Sequence, residues 1–79
     1  MDNIIIYTMN NCPYCEKTKR LLTANGYEFN EKRISFNTNE ASELIAKTQF
    51  FTLPQIFINN DFIGGCSELE VYLKEKDAK

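Results

Sequence analysis

Ile4-Ile5-Ile6-Tyr7-Thr8-Met9-Asn10-Asn11-Cys12-Pro13-Tyr14-Cys15 decides how this chain folds. The β-branched run from Ile4 to Thr8 has no polar alternation, the pattern of a central strand buried on both faces. Met9-Asn10-Asn11 reads as a short loop. Pro13 suits the first turn of a helix, where a missing N–H costs nothing. Two thiols three positions apart at such a helix start are close enough to bridge. Cys12 falls where unpaired backbone N–H groups point outward and favour a thiolate. The stretch predicts a strand, a loop and a helix with a redox centre between them.

Beyond it, Tyr14, Thr18, Leu21, Leu22 and Asn25 recur at helical spacing, with Glu16, Lys17, Lys19 and Arg20 on the wetter side. Gly26 is placed to end this helix in a left-handed conformation. Tyr27 to about Ile34 reads as a second strand, and its charges (Glu28, Glu31, Lys32, Arg33) put it at an edge. Asn37-Thr38-Asn39 supplies caps for another helix, whose apolar face is Ala41, Leu44, Ile45 and Thr48. Gln55-Ile56-Phe57-Ile58 is a strong strand, Asn59-Asn60-Asp61 a turn, and Phe62-Ile63 the return strand of a hairpin broken by Gly64-Gly65. Ser67-Glu68-Leu69-Glu70 has the form of a capping box, with Cys66 and Val71 as its hydrophobic staple. Leu69, Tyr72 and Leu73 give the last helix its buried face, and the charged tail from Lys74 is expected to fray.

The predicted order is therefore βαβ, then a helix, then ββα. The first unit makes a parallel strand pair through a right-handed crossover. The hairpin extends the sheet antiparallel, which gives an α/β fold with a four-stranded mixed sheet and helices on both faces. The cysteine pair sits at the C-terminal end of the first strand, where α/β folds place ligands. Leu21, Leu22, Leu44, Phe57 and Leu73 are the expected core. Phe50-Phe51 is ambiguous between packing and an exposed docking patch.

Composition narrows the function. The 79 residues make one domain, 1–79, with a core that must pack efficiently. The formal net charge of −2 points to neither nucleic acid nor an anionic membrane. There is no histidine, which excludes a Cys-His hydrolase pair and any His-containing zinc site. Met1-Asp2-Asn3 carries no basic region of a signal peptide, and no segment reaches transmembrane length. Three cysteines cannot all pair within one chain, so a reducing compartment, most simply the cytoplasm, is expected.

Several motifs together resemble a glutaredoxin, a member of the thioredoxin-fold family. They are Tyr7-Thr8 followed by Cys12-Pro13-Tyr14-Cys15, then Thr52-Leu53-Pro54-Gln55-Ile56-Phe57-Ile58, then Gly64-Gly65-Cys66-Ser67-Glu68-Leu69. The resemblance covers nearly the whole chain and implies a thioredoxin-like fold. It implies a dithiol, glutathione-dependent thiol–disulfide oxidoreductase with Cys12 and Cys15 catalytic, acting as a monomer without a metal. It also implies a glutathione site made by Tyr14, Thr52, Leu53, Pro54, Gly65, Cys66, Ser67 and Glu68. Pro54 would be cis and face the cysteines, and the backbone of Leu53 would pair with the main chain of glutathione. Gly64-Gly65 would let the backbone come close to the ligand. The N–H groups at Cys66-Ser67-Glu68 would hold the γ-glutamyl carboxylate, and Glu68 would accept from the α-ammonium. Tyr14 would wall the groove.

The chain departs from that family in two places. Many members carry a lysine where Met9 stands and an arginine near Phe50-Phe51, so glutathione affinity rests on other groups, with Lys17, Lys47 and Gln49 as candidates. The implied chemistry begins with Cys12 as nucleophile, resolved by Cys15 or by a second glutathione.

Other readings of the same residues stand beside this one. The pair would be simple buried hydrophobes, or, with Cys66, part of a zinc site that lacks its fourth ligand. Cys66 itself is packing or a backbone contact ahead of a catalytic thiol. Some glutaredoxins hold a [2Fe–2S] cluster between two monomers, although Pro13 argues against this because cluster-binding members mostly have a small residue there. A third reading is a redox carrier reduced by thioredoxin reductase and serving disulfide-bonded proteins such as ribonucleotide reductase.

Overall fold

The computed structural model describes residues 3–35 and 37–77. Strand β1 (Ile4–Thr8) leads into helix α1 (Pro13–Ala24), and strand β2 (Asn30–Arg33) follows. Helix α2 (Asn39–Thr48), strands β3 (Gln55–Ile58) and β4 (Asp61–Gly64), and helix α3 (Cys66–Asp77) complete the order. The strands form one mixed sheet, β2-β1-β3-β4, with β2 parallel to β1 and both other pairings antiparallel. This is the sheet the sequence predicts, with the charged β2 at an edge.

The strand β2 is shorter than expected. Tyr27 and Phe29, read as its first residues, pack instead against the core under α1 and α3, and pairing to β1 starts only at Asn30 opposite Ile5. Why the chain turns there is local. Gly26 takes φ +79°, its N–H donates to the Thr23 carbonyl at 3.0 Å, and the Tyr27 N–H reaches back to Leu22 at 2.9 Å. That pair of bonds is the Schellman closure of a helix, and the left-handed residue it needs is the glycine.

The sheet separates two apolar layers. On one face Leu22 of α1 and Leu69 and Leu73 of α3 bury against Ile4, Ile6, Ile56 and Ile58. On the other, Ala41 and Leu44 of α2 pack with Ile34 and Phe57. One ten-residue helix covers this second face. As a result Ile5 and Tyr7 are only half-buried, and β1 is not equally enclosed on its two sides as its sequence predicts. The hairpin between β3 and β4 turns on Asn59 and Asn60, both at positive φ (52° and 73°), the two-residue turn whose twist matches paired strands.

Two boundaries differ from expectation. The buried stripe of α1 is Cys15, Thr18 and Leu22, while Tyr14 stands 65% exposed. Helix α3 starts at Cys66, which moves its cap two residues ahead of the predicted Ser67. Glu68, not Glu70, closes it by accepting the Gly65 N–H at 2.7 Å, so Gly65 stands in the cap position that serine was expected to fill. Val71 is exposed and makes no staple with the buried Cys66. The helix continues through the charged segment to Asp77, and the last two residues, like Met1 and Asp2, lie outside the described residues.

Candidate active site

Cys12 caps α1. Its backbone is extended (φ −116°, ψ 99°), and its sulfur accepts the Cys15 N–H at 3.1 Å. Pro13 follows at the first helical position, where it removes a donor the helix would leave unused. The two sulfurs are bridged, with the Cα atoms 5.2 Å apart. The pair is asymmetric: Cys15 is fully buried, whereas Cys12 is half-exposed at the surface end of the helix. An attacking or attacked group from solution therefore meets Cys12.

The loop before β3 faces this sulfur. The Leu53–Pro54 peptide is cis, as the resemblance implied, and the Leu53 carbonyl oxygen lies 3.8 Å from the Cys12 sulfur. What holds the loop is Gln55, 1% exposed in the interior. Its amide nitrogen donates to the carbonyls of Phe50 at 2.8 Å and Thr52 at 3.3 Å, and its oxygen lies 2.9 Å from the Thr48 hydroxyl. The Thr48 proton is shared with the Leu44 carbonyl at 3.0 Å, and the Thr48 oxygen accepts the Phe50 N–H at 3.2 Å. By sequence alone Gln55 is an ordinary strand residue. A single polar side chain at the head of an otherwise apolar strand was the available signal.

A groove of about 400 Å³ opens beside this loop, lined by Tyr14, Phe50, Thr52, Leu53, Pro54, Gly65, Cys66, Ser67 and Glu68. All eight residues expected to bind glutathione are thus brought together on one surface. Cys12 is not in the lining itself and meets the groove through Leu53. Phe50 is the lining residue that sequence left undecided. Its ring packs edge-on against Phe62, centroids 5.4 Å apart, while Phe51 projects outward, 71% exposed.

Gly64 and Gly65 bring the chain to the groove floor. Gly64 has φ +125°, and a Cβ there would fall 2.6 Å from Cγ of Glu68. Within α3 the first intrahelical bond runs from the Leu69 N–H to the Gly65 carbonyl at 3.0 Å. The N–H groups of Cys66, Ser67 and Glu68 therefore have no carbonyl one turn back to bond and are turned toward the helix entrance. Glu68 is partly engaged already, through the Gly65 N–H. Cys66 is a buried free thiol 3.9 Å from a Glu70 carboxylate oxygen.

The groove lining holds no lysine or arginine. Of the candidates to replace the missing charges, Lys17 pairs with Glu70 at 3.7 Å, and Lys47 lies over the Phe57 ring on the α2 face of the sheet. The Gln49 amide turns back onto the Ala46 carbonyl. Among the described residues no group of three or more His, Cys, Asp or Glu side chains is arranged to hold a metal ion. No helix among them is long and apolar enough to cross a membrane.

A second polar cluster flanks α1. The buried Thr8 hydroxyl donates to Glu31 at 2.6 Å, and Lys19 and Arg33 each reach the same carboxylate oxygen at 3.2 Å. The Thr8 bond holds the Glu31 carboxyl below the ordinary carboxylate range, helped by Lys19 and Arg33 against the opposing effect of burial. Lys19 is held above the usual lysine range, first by its 2.8 Å bond to Glu16 and then by Glu31, again against burial.

Comparison with known proteins agrees with this geometry. A family model described as Glutaredoxin matches residues 4–63. Glutaredoxin 3 of Escherichia coli K12 is 44% identical over 69 residues, which span 87% of this chain and 83% of that protein. The crystal structure of glutaredoxin 1 from Francisella tularensis, complexed with cacodylate, superposes with a TM-score of 0.82 at 30% identity and covers both chains fully. A buckwheat glutaredoxin–glutathione complex shares the fold, with a TM-score of 0.78 at 21% identity over 95% of this chain and 71% of that one.

Proposed function

Because this chain belongs to the glutaredoxin family, whose fold is thioredoxin-like, we propose that it is a glutathione-dependent thiol–disulfide oxidoreductase working through Cys12 and Cys15. Family membership implies the thiol–disulfide chemistry. The observation that carries it is the bridged pair of one reachable and one buried cysteine at a helix N-terminus, 3.8 Å from the wall of a ligand-sized groove.

The reaction proceeds by two exchanges. In the reduced protein the Cys12 thiolate keeps the Cys15 N–H and the positive end of α1, an environment that lowers a thiol from about 8.5 into or below the neutral range. It attacks the glutathione sulfur of a glutathionylated protein, forms a Cys12–glutathione disulfide and expels the protein thiolate, which takes a proton from water. A second glutathione thiolate then attacks the bound glutathione sulfur and restores Cys12, with oxidised glutathione as product. On a protein disulfide, Cys12 forms the mixed disulfide and Cys15 attacks it from the interior. That step releases the reduced protein and leaves the Cys12–Cys15 bridge, which two glutathiones reduce.

The groove supplies the binding. Leu53 offers backbone groups beside cis-Pro54, Tyr14 and Phe50 offer apolar walls, and the α3 entrance with Ser67 and Glu68 offers donors and an acceptor for the γ-glutamyl end. On this reading the partners are glutathione and glutathionylated or disulfide-bonded proteins, and the protein acts as a cytoplasmic monomer. Cys12→Ser is expected to abolish turnover on every substrate. Cys15→Ser is expected to spare glutathionylated substrates and to impair protein disulfides. Equal loss in both variants on a glutathionylated substrate contradicts the roles.

One observation favours a second reading of the electron source. A groove with no cation in its lining is poorly suited to the glycine carboxylate of glutathione. A thioredoxin reductase would then be the donor and a protein such as ribonucleotide reductase the acceptor. Glutathione-coupled and reductase-coupled assays run side by side separate the two.

A further inference from the structure

Cys12 caps α1, its carbonyl accepts the Glu16 N–H at 3.2 Å, and Lys19 lies one turn beyond Glu16 on the same helix. The positive end of the helix is thus shared by two anions, the Cys12 thiolate and the Glu16 carboxylate one turn below it. A first-turn acid stabilises the helix but opposes a thiolate at the cap. We propose that Lys19, clamped between Glu16 and Glu31, is a positioning residue that cancels the Glu16 charge and thereby keeps Cys12 anionic at neutral pH. This rests on the reading of Cys12 as the nucleophile.

The clamp is unusually well fixed for a surface lysine. Its ammonium lies 2.8 Å from Glu16 and 3.2 Å from Glu31, and its side chain is only 20% exposed. Glu31 is itself held by the buried Thr8 hydroxyl at the end of the strand that runs into the cysteine loop. It is held again by Arg33, which also contacts Asn10 within that loop at 3.4 Å. An isolated surface pair gains little because both side chains must be ordered for it. Here the order is imposed by β1 and β2, so Lys19 acts as a fixed charge.

The charge balance shows what its loss does. Glu16, Lys19, Glu31 and Arg33 sum to zero, and without Lys19 the cluster carries one net negative charge beside the thiolate. Between α1 and α3, Lys17 and Glu70 already pair, and Glu68 is bonded to the Gly65 N–H. Neither offers a spare cation. A Glu16 charge left uncompensated about one helical turn from the cap, through a largely aqueous medium, changes the thiolate population about threefold.

The test uses the full chain with Cys15→Ser, and reads the pH dependence of iodoacetamide alkylation mapped to residue 12 by mass spectrometry. Lys19→Met is expected to move the midpoint upward and slow alkylation about threefold in mildly acidic buffer. Lys19→Arg should retain the parent midpoint, Glu16→Gln added to Lys19→Met should restore it, and roughly 1 M salt should shrink the difference. An unchanged midpoint in Lys19→Met, or no restoration by Glu16→Gln, overturns the proposal. A parent midpoint equal to that of a free thiol instead overturns the reading of Cys12 as an activated nucleophile, so the two failures are distinguishable.

Discussion

The Gln55 side chain donates to the Phe50 carbonyl at 2.8 Å and so ties the head of β3 to the far end of the loop that carries Thr52, Leu53 and Pro54. One buried amide sets the distance between that loop and the sheet. Because the Cys12 sulfur touches the loop at Leu53, the same amide governs how the groove meets the reacting atom.

Gln55→Leu keeps the volume and deletes the bonds. It strands the Phe50 and Thr52 carbonyls, while the Thr48 hydroxyl keeps the Leu44 carbonyl and the Phe50 N–H, and buried groups left unpaired cost about 1–3 kcal/mol each where water cannot reach them. A loss of about 2–4 kcal/mol in urea unfolding is expected. Glutathione-coupled turnover should fall well beyond any change in Cys12 alkylation. Loss of stability with unchanged turnover at low temperature would show that the amide supports the core and not the groove.

Two glycines separate backbone strain from crowding. Gly26 has φ +79° with open space around its missing side chain, and Gly64 has φ +125° with Glu68 in the way. Gly26→Ala should cost about 1–2 kcal/mol, the left-handed penalty alone. Gly64→Ala should cost about 3 kcal/mol or more and disturb the Glu68–Gly65 bond, since the clash is with Cβ and Cγ near the α3 backbone. Equal losses in thermal or urea unfolding would contradict this division.

Stability should depend on Glu31 in a defined pH window. Its native carboxyl lies below the reference value of 4.5, so its contribution is fully present above that value and is lost as pH falls through the lower native one. The stability difference between the parent and Glu31→Gln should therefore be largest near neutrality, about 1 kcal/mol for a side chain still 25% exposed, and vanish in strong acid. A difference that does not shrink on acidification would mean the carboxylate charge is not what stabilises the fold.

The missing groove cation also has a test. If the glycine carboxylate of glutathione lies near Met9, Met9→Lys should lower KM for a glutathionylated peptide several-fold at low salt with little change in kcat, and salt should erase the gain. An unchanged KM would place that carboxylate elsewhere.

Much of this molecule is legible in the sequence because its signals are local. Ile4 to Thr8, Pro13 after Cys12, Gly26, and the Asn59-Asn60 turn each dictate one conformation. The errors arise where tertiary contact chooses between local options. Tyr27 and Phe29 have strand propensity but find the core before they find β1. Ser67 and Glu70 satisfy a capping pattern, yet the closure uses Gly65 and Glu68, and a glycine cap leaves little mark in a sequence. The groove residues were readable only through resemblance. Nothing in the spacing of Leu53 and Cys66 says they share a wall, and Gln55, which shapes that wall, looks like any strand residue.

The most direct test of the account is to mix Cys15→Ser with oxidised glutathione and locate the adduct by peptide mass mapping. One glutathione per chain is expected, on Cys12, removed by reduced glutathione with release of its oxidised dimer. A chain that stays unmodified at residue 12, or that takes the adduct on Cys66 instead, would contradict it.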